Sequence, residues 1–428
     1  MDIRYQIMGG VPLQGEVTIS GSKNAALPMI AGSVLVSGET VLHNVPRLRD
    51  TEMMLTILEY LGATTSFIDG TVTIDTTNLD SKPIPEEFVS KLLGSIVLLG
   101  PLLARFGVVE MSYPGGCVLG KRPVEAHVLA LQQMGAENMS TNEVLHLQGQ
   151  LRPSHIILPE FSVTATENAL LAAATLAGET RIDIAAAEPH VQAVAHMAVA
   201  MGAEVEGIGT NTLIIRGRPD LKPVAYRVPF DYLEAGCFVI AALVTRGKLR
   251  LHDVDYDHLV FFLDLIRRAG GIWKYTPEER TLFVDGELSF MNALKVQSMI
   301  FPGFPTDLQA PMGVLMTQAK GVSRIFETLF EGRMAYLYEL EKMGAHVEIL
   351  NAHQALIIGP TPLKGRLVAS NDIRAGAAMV LAGLCAEGQT TITDVRYIER
   401  GYDRLDEKLR AVGAKIDRIV IDTPAMSS

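Results

Sequence analysis

Three groups of residues have the types and spacing for chemistry on an anionic substrate. Ser22-Lys23-Asn24 opens an apolar run that reads as a helix. Ser and Asn suit its first turn as caps. Lys23 does not, because a cation at a helix N-terminus is disfavoured by roughly a few tenths of a kcal/mol. A lysine there suggests an anion bound between its ammonium and the free backbone N–H groups. The second group is the loop from Tyr113 to Pro123, where three glycines and two prolines surround Cys117. Lys121 and Arg122 lie close in sequence and would favour its thiolate, the nucleophilic form. The third group is the arginines that follow repeated strands, Arg333 in FEGRMAY and Arg400 in YIERGYDRL. Their forks suit phosphate or carboxylate if they converge, and merely solvate a surface if they do not.

Polar residues also enter other apolar runs: Thr166-Glu167-Asn168, Asp231 with Glu234, Asp307, and Asp372 with Arg374. For each aspartate, capping of a first turn and a role at a ligand both remain open. Cys237 and Cys385 sit in apolar surroundings and read as inert small hydrophobes.

The elements that position these residues are legible as a repeat. A helical pattern ending in Gly-Ala or a close variant, then a short strand, occurs as LEYLGATTSF, LQQMGAENMS, AVAMGAEVEG, IRRAGGIWKY, LEKMGAHVEI and LRAVGAKIDR. The first glycines, Gly62, Gly135, Gly202, Gly270, Gly344 and Gly413, are spaced by 73, 67, 68, 74 and 69 residues. Each stands where a helix must end on a residue able to take φ > 0. About 24 residues earlier come Gly38, Gly107, Gly178, Gly247, Gly321 and Gly388, each closing a helix made largely of small apolar residues. ENALLAAATLAG and IRAGAAMVLAGLCAEG suit helices buried on nearly every side. Six units of roughly 70 residues in a chain of 428 divide most simply into two domains of three. The break is expected near Asp231, and the strand supplied by residues 1–22 fits either half.

Composition limits the partners. A net charge of −11 argues against a non-specific nucleic-acid surface, yet leaves room for a few focused cations. Hydrophobic residues at 48% and charged residues at 20% describe a globular chain. The longest apolar stretches, such as Ile96 to Ala104, are broken by Gly and Pro, and no leader pattern opens the chain, which reads as soluble and cytoplasmic. Three scattered cysteines form neither a metal spacing nor a disulfide framework.

SGSKNAALP, GPLLARFG, PGGCVLGKRPVEAH, FPTDLQA, FEGRM, DIRAGAAMVLAG and RGYDRLDEKLRAVGA together resemble the UDP-N-acetylglucosamine 1-carboxyvinyltransferases, a branch of the enolpyruvyl transferases, from the first strand to about Arg418. The resemblance implies an α/β fold of two inverse barrel-like domains, each of three repeats with the helices inside (EPT/RTPC-like). It places the domains at 23–231 and at 1–22 plus 232–418, with 419–428 as a tail. The implied reaction moves the enolpyruvyl group of phosphoenolpyruvate onto the 3-hydroxyl of UDP-N-acetylglucosamine, releasing phosphate and opening peptidoglycan precursor synthesis. The partners would be these two small molecules, with no cofactor, metal, nucleic acid or membrane.

Carried over by position, Lys23, Arg122 and Arg400 would hold the phosphate, and Arg333 and Arg374 the carboxylate side. Asn24 would contact the reacting centre and Asp307 would receive or orient the hydroxyl proton. Cys117 and Asp372 would handle the methylene proton and product release. Pro123, Glu125, Ser162, Leu329 and Glu331 would complete the substrate contacts.

Two positions depart from the family pattern. Leu93 stands where an arginine is usual, and Lys91, two residues away on an assumed helix, would face elsewhere. In Glu160-Phe161-Ser162-Val163-Thr164, an acid replaces a common lysine and a threonine a common glycine. They bear on the sugar nucleotide, so the alternatives are another hydroxyl acceptor or an inactive sugar-nucleotide-binding regulatory paralogue.

Overall fold

The computed structural model describes residues 2–113 and 124–421. The chain divides into two compact units, Gly21–Pro229 and Met1–Ser20 with Phe230–Ser428. Each has its own core and repeats one scheme three times.

Besides a single helical turn at Glu86–Val89, the helices of the first unit are α1 (Lys23–Gly32), α2 (Arg49–Tyr60), α3 (Leu99–Phe106), α4 (Glu125–Gln133), α5 (Val163–Ala174) and α6 (Pro189–Met201). In the second they are α7 (Tyr232–Val244), α8 (Val260–Arg268), α9 (Gln309–Gln318), α10 (Tyr336–Lys342), α11 (Ile373–Cys385) and α12 (Leu405–Ala411). The odd-numbered helices form the interiors. Every residue of α7 is buried, as are all of α9 except Gln318 and all of α1 except Asn24. Their small side chains let backbones approach. A Cβ on Gly100 would lie 2.2 Å from the Asn168 carbonyl oxygen. The Asn168 side chain accepts from Gly100 N–H at 2.6 Å and donates to the Ile96 carbonyl at 2.9 Å, joining α5 to the start of α3. Asn168 is therefore a structural brace. The α3 helix is shorter than its counterparts because the chain enters it through a 3-10 turn, Leu93–Leu98. Lys91 lies in the turn before that element, so rotation about a helix does not govern its direction.

The sheets close each repeat. Among the described residues there are five of four strands and one of three. Five of them contain one parallel pair, made by the strand that leads into an interior helix: Ala225–Arg227 on Glu39–His43, His155–Ile157 on Gly178–Asp183, Gln14–Thr18 on Lys248–His252, Lys295–Gln297 on Gly321–Phe326, and Leu367–Ala369 on Gln389–Thr393. The N-terminal segment thus belongs to the second unit, with Asp2–Met8 also pairing antiparallel to the strand Lys415–Ile421. The first repeat takes its parallel strand from residues 225–227 instead.

The outer, even-numbered helices all end before a left-handed glycine. Gly62, Gly135, Gly202, Gly270, Gly344 and Gly413 have φ between +94° and +119°. Gly247 departs from the expected rule for interior helices, since Arg246 takes the left-handed conformation at φ +55°. Gly247 is needed for space: a Cβ there would sit 2.1 Å from the Leu13 carbonyl oxygen.

One buried ion pair secures the chain ends of the second unit. Lys408 Nζ donates to Glu234 Oε1 at 2.6 Å and to Ser20 Oγ at 2.5 Å, and Ser20 N–H donates to Glu234 Oε2 at 2.7 Å. Glu234 is 2% exposed, so burial pushes its pKa up while Lys408 opposes the shift.

Candidate active site

The second unit gathers a carboxylate between two guanidiniums. Asp307 lies in the 3-10 turn Thr306–Leu308 that leads into α9. Its Oδ1 accepts from Arg333 Nη1 at 2.6 Å, and its Oδ2 pairs with Arg374 Nη2 at 2.8 Å. Burial works against the charged form of Asp307, but Arg374 and Arg333 overcome it and hold the carboxyl far below the usual carboxylate range. The arginine side chains are only 12% and 11% exposed, whereas Asp307 keeps 23%. The three groups therefore form a pre-ordered charge cluster with its carboxylate the most open to a ligand.

The cluster is braced behind. Arg374 Nη1 donates to the Tyr402 hydroxyl at 3.1 Å, and that hydroxyl lies 3.3 Å from Cys237 Sγ. Arg333 Nη1 also donates to Thr306 Oγ1 at 3.1 Å, and its guanidinium lies 4.6 Å from the centre of the Phe330 ring. Tyr402 and Thr306 were not singled out from sequence, although they stand in the RGYDRL and FPTD segments. A hydroxyl beside a charged residue carries no spacing signal by itself.

Each remaining expected residue of this unit has a definite place. Asp372 is the N-cap of α11, accepting from Arg374 N–H at 2.7 Å and Ala375 N–H at 2.8 Å through one oxygen. It therefore positions the turn that carries Arg374. Asp231 caps α7 in the same way, at 2.8 and 3.2 Å. Arg400 is half-buried at the end of the turn Val395–Arg400. Leu329 and Glu331 are exposed and share the loop of Arg333.

In the first unit, Lys23 is buried at the start of α1 and pairs with Asp50 Oδ2 at 3.2 Å. Asp50 was missed because an acid in the first turn of an outer helix reads as ordinary dipole compensation. Asn24 is the half-buried residue of α1. Ser162 caps α5, with Oγ accepting from Ala165 N–H at 3.4 Å, and Glu125 is exposed at the first residue of α4. His127 of α4 faces the Thr164 hydroxyl at 3.1 Å, and burial lowers its pKa to about 4. Glu167 is 1% exposed, and burial together with Glu188 raises its pKa well above the usual value. Cys117, Arg122 and Pro123 lie outside the described residues, as do residues 422–428; the expected tail at 419–428 is corrected at its start, where residues 419–421 continue the strand Lys415–Ile421 paired to the N-terminal strand.

The two other cysteines are not alike in burial. Cys237 is 4% exposed, whereas Cys385, at the end of α11, is only half-buried. Burial pushes both thiols up to about 12, which leaves them protonated at neutral pH. Among the described residues, no cluster of three or more His, Cys, Asp or Glu could hold a metal ion, and no helix is long and apolar enough to cross a membrane.

Residues 7–409 match the family model described as EPSP synthase (3-phosphoshikimate 1-carboxyvinyltransferase), and the chain belongs to that family. It is 42% identical over 416 residues to the UDP-N-acetylglucosamine 1-carboxyvinyltransferase of Chlorobium phaeovibrioides, covering 96% of this chain and 97% of that protein. It is 41% identical over 419 residues to the protein of the same name from Shewanella denitrificans, covering 97% and 99%. Among solved structures, the enolpyruvyl transferase NikO from Streptomyces tendae superposes with a TM-score of 0.88 at 25% identity, covering 98% of this chain and all of that one. An EPSP synthase from Acinetobacter baumannii shares the fold, with a TM-score of 0.74 at 20% identity over 98% of this chain and all of that one.

Proposed function

We propose that this protein transfers the enolpyruvyl group of phosphoenolpyruvate to the 3-hydroxyl of UDP-N-acetylglucosamine, releasing phosphate, as the first committed step of peptidoglycan precursor synthesis in the cytoplasm. The observation that carries the reading is Asp307 held ionised between Arg333 and Arg374, in a chain 42% identical to a transferase of that name.

The reaction is an addition followed by an elimination. The sugar hydroxyl loses its proton as its oxygen attacks C2 of phosphoenolpyruvate, and C3 gains a proton. C3 then loses a proton, the C2–O bond to phosphate breaks, and the enol ether remains on the sugar. Asp307 is assigned to the hydroxyl. While both guanidiniums hold it, it is a weak base that orients rather than accepts. Sharing Arg333 and Arg374 with the substrate carboxylate would weaken that hold and raise the basicity of Asp307 once the substrate is in place.

Lys23, Arg122 and Arg400 are assigned to the phosphate, where cations offset the charge of the leaving group. Lys23 is already paired to Asp50, so the ligand phosphate would become a second anion on it. Asn24 is assigned to the reacting centre, and Cys117 to the proton at C3. Asp372 supports product release from the turn it caps, and Pro123, Glu125, Ser162, Leu329 and Glu331 line the substrates. The scheme uses no metal or cofactor.

Turnover tests it. Lys23→Ala and Arg400→Ala should each lower phosphate release from phosphoenolpyruvate by at least about 100-fold, since each 1.36 kcal/mol of lost stabilisation is about tenfold in rate. Near-normal release by either variant, with its fold intact by circular dichroism, removes that residue from the phosphate site. A panel of UDP-sugars in the same assay identifies the acceptor.

A further inference from the structure

Glu327 is 0% exposed, and among the described residues every hydrogen bond on its carboxylate comes from a neutral donor. Oε2 accepts from the hydroxyls of Ser298 at 2.8 Å and Thr306 at 2.7 Å. Oε1 accepts from the backbone N–H groups of Leu329 at 2.9 Å and Phe330 at 3.2 Å. The backbone of Glu327 is itself fixed, its N–H donating to the His353 carbonyl at 2.8 Å and its carbonyl lying 2.9 Å from His353 Nδ1. Four donors satisfy a buried carboxylate without a cation.

We propose that Glu327 is a positioning residue for the transfer reaction: it sets the direction of the Thr306 hydroxyl and thereby holds Arg333 on Asp307. This rests on the function proposed above. A hydroxyl has one hydrogen. The carboxylate can only accept, so it takes the hydrogen of Thr306, and Thr306 Oγ1 is left to accept from Arg333 Nη1 at 3.1 Å. The same guanidinium nitrogen reaches Asp307 at 2.6 Å. Through Oε1, Glu327 also shapes the turn at Leu329 and Phe330 that delivers Arg333.

An amide in its place breaks this order without changing size. The two backbone N–H groups cannot reverse, so Glu327→Gln must turn its carbonyl oxygen towards Leu329 and Phe330 and its NH2 towards the hydroxyls. Thr306 must then accept from the amide, and its hydrogen turns towards Arg333, where two donors face one another.

The experiment compares wild type, Glu327→Gln, Thr306→Val, the double variant and Ser298→Ala, with folding checked by near-ultraviolet circular dichroism. Misplacing the Arg333–Asp307 pair should lower kcat roughly 10- to 100-fold in Glu327→Gln and in Thr306→Val. Because both act through one contact, the double variant should fall no more than about twofold below the worse single variant. Ser298 touches the same carboxylate oxygen but not the path to Arg333, so Ser298→Ala should stay within about twofold of wild type. Losses that multiply in the double variant, or a Ser298→Ala loss equal to that of Thr306→Val, overturn the proposal. If Glu327→Gln does not fold, Thr306→Val against Ser298→Ala still decides. A wild type inert with every UDP-sugar refutes the proposed function instead. The positioning role is then read from a crystal structure of Glu327→Gln, which should place Arg333 beyond hydrogen-bond reach of Thr306. An unchanged contact there overturns it.

Discussion

A carboxylate held between Arg333 and Arg374 and a lysine held on Asp50 place this chain's clearest charges on short side-chain contacts within each unit. Lys23 stood out in the sequence because its charge opposes the helix dipole, whereas Asp307 took a ligand role only through the FPTD segment, since capping was the favoured reading of any single aspartate. Spacing could not separate Asp307 from Asp231 or Asp372, because the difference lies in which side chains arrive from distant turns. Asp231 and Asp372 turn an oxygen to their own helix, while Asp307 turns both to arginines. At this scale the cysteines give a direct prediction. An electrophilic phosphonate epoxide such as fosfomycin should alkylate Cys117, with neighbouring cations holding the phosphonate and favouring the thiolate. Cys237, pushed up to about 12 by burial, should remain unmodified. Intact-protein and peptide mass spectrometry decide this: an adduct on Cys237 with none on Cys117 would misplace the reactive loop.

The elements were legible because six helix ends share one backbone requirement. Glycine spacing revealed the repeat, and the structure gives each outer helix a left-handed glycine. Glycine spacing could not show that strand Ala225–Arg227 returns to the first repeat, and it left residues 1–22 open to either half until the family resemblance put them with the second, since parallel pairing between distant segments leaves no local pattern. Two glycines separate conformation from space. Gly62 and Gly413 have similar φ, +105° and +99°, but an added Cβ meets the Asn78 carbonyl oxygen at 2.6 Å only at Gly62. Gly413→Ala should cost about 1 kcal/mol for the left-handed backbone alone, and Gly62→Ala measurably more, by chemical denaturation. Equal losses would show that the turn at Gly62 relaxes freely. His127, which joins α4 to α5 through Thr164, gives a pH dependence. Burial depresses its folded pKa to about 4, against about 6.5 unfolded. The unfolded chain therefore binds the extra proton between these values, so His127's contribution is complete above about pH 6.5 and lost as pH falls towards 4. That amounts to roughly 3 kcal/mol at most. Thermal unfolding of His127→Gln should show a shallower acid-side decline than wild type, and an identical profile would remove His127 as a source.

At the scale of the whole molecule, each unit is built round interior helices whose first turns carry the polar residues assigned to substrate. Helices composed of alanine, glycine and leucine cannot supply chemistry along their length, so the residues assigned to substrate stand at their starts and in the loops. That is why repeat spacing disclosed the architecture while the reading passed over Thr306, Tyr402 and Glu327, whose contacts come from packing. The family assignment covers residues 7–409, and the departures at Leu93 and Glu160 to Thr164 make the acceptor the point to measure. The most direct test is mass spectrometry of the sugar nucleotide after incubation with phosphoenolpyruvate, alongside phosphate release. The account predicts that UDP-N-acetylglucosamine gains the mass of one enolpyruvyl group less the hydrogen it replaces, with one phosphate released per product and none in its absence. UDP-N-acetylglucosamine left unchanged, while another acceptor gains that group or none does, would contradict it.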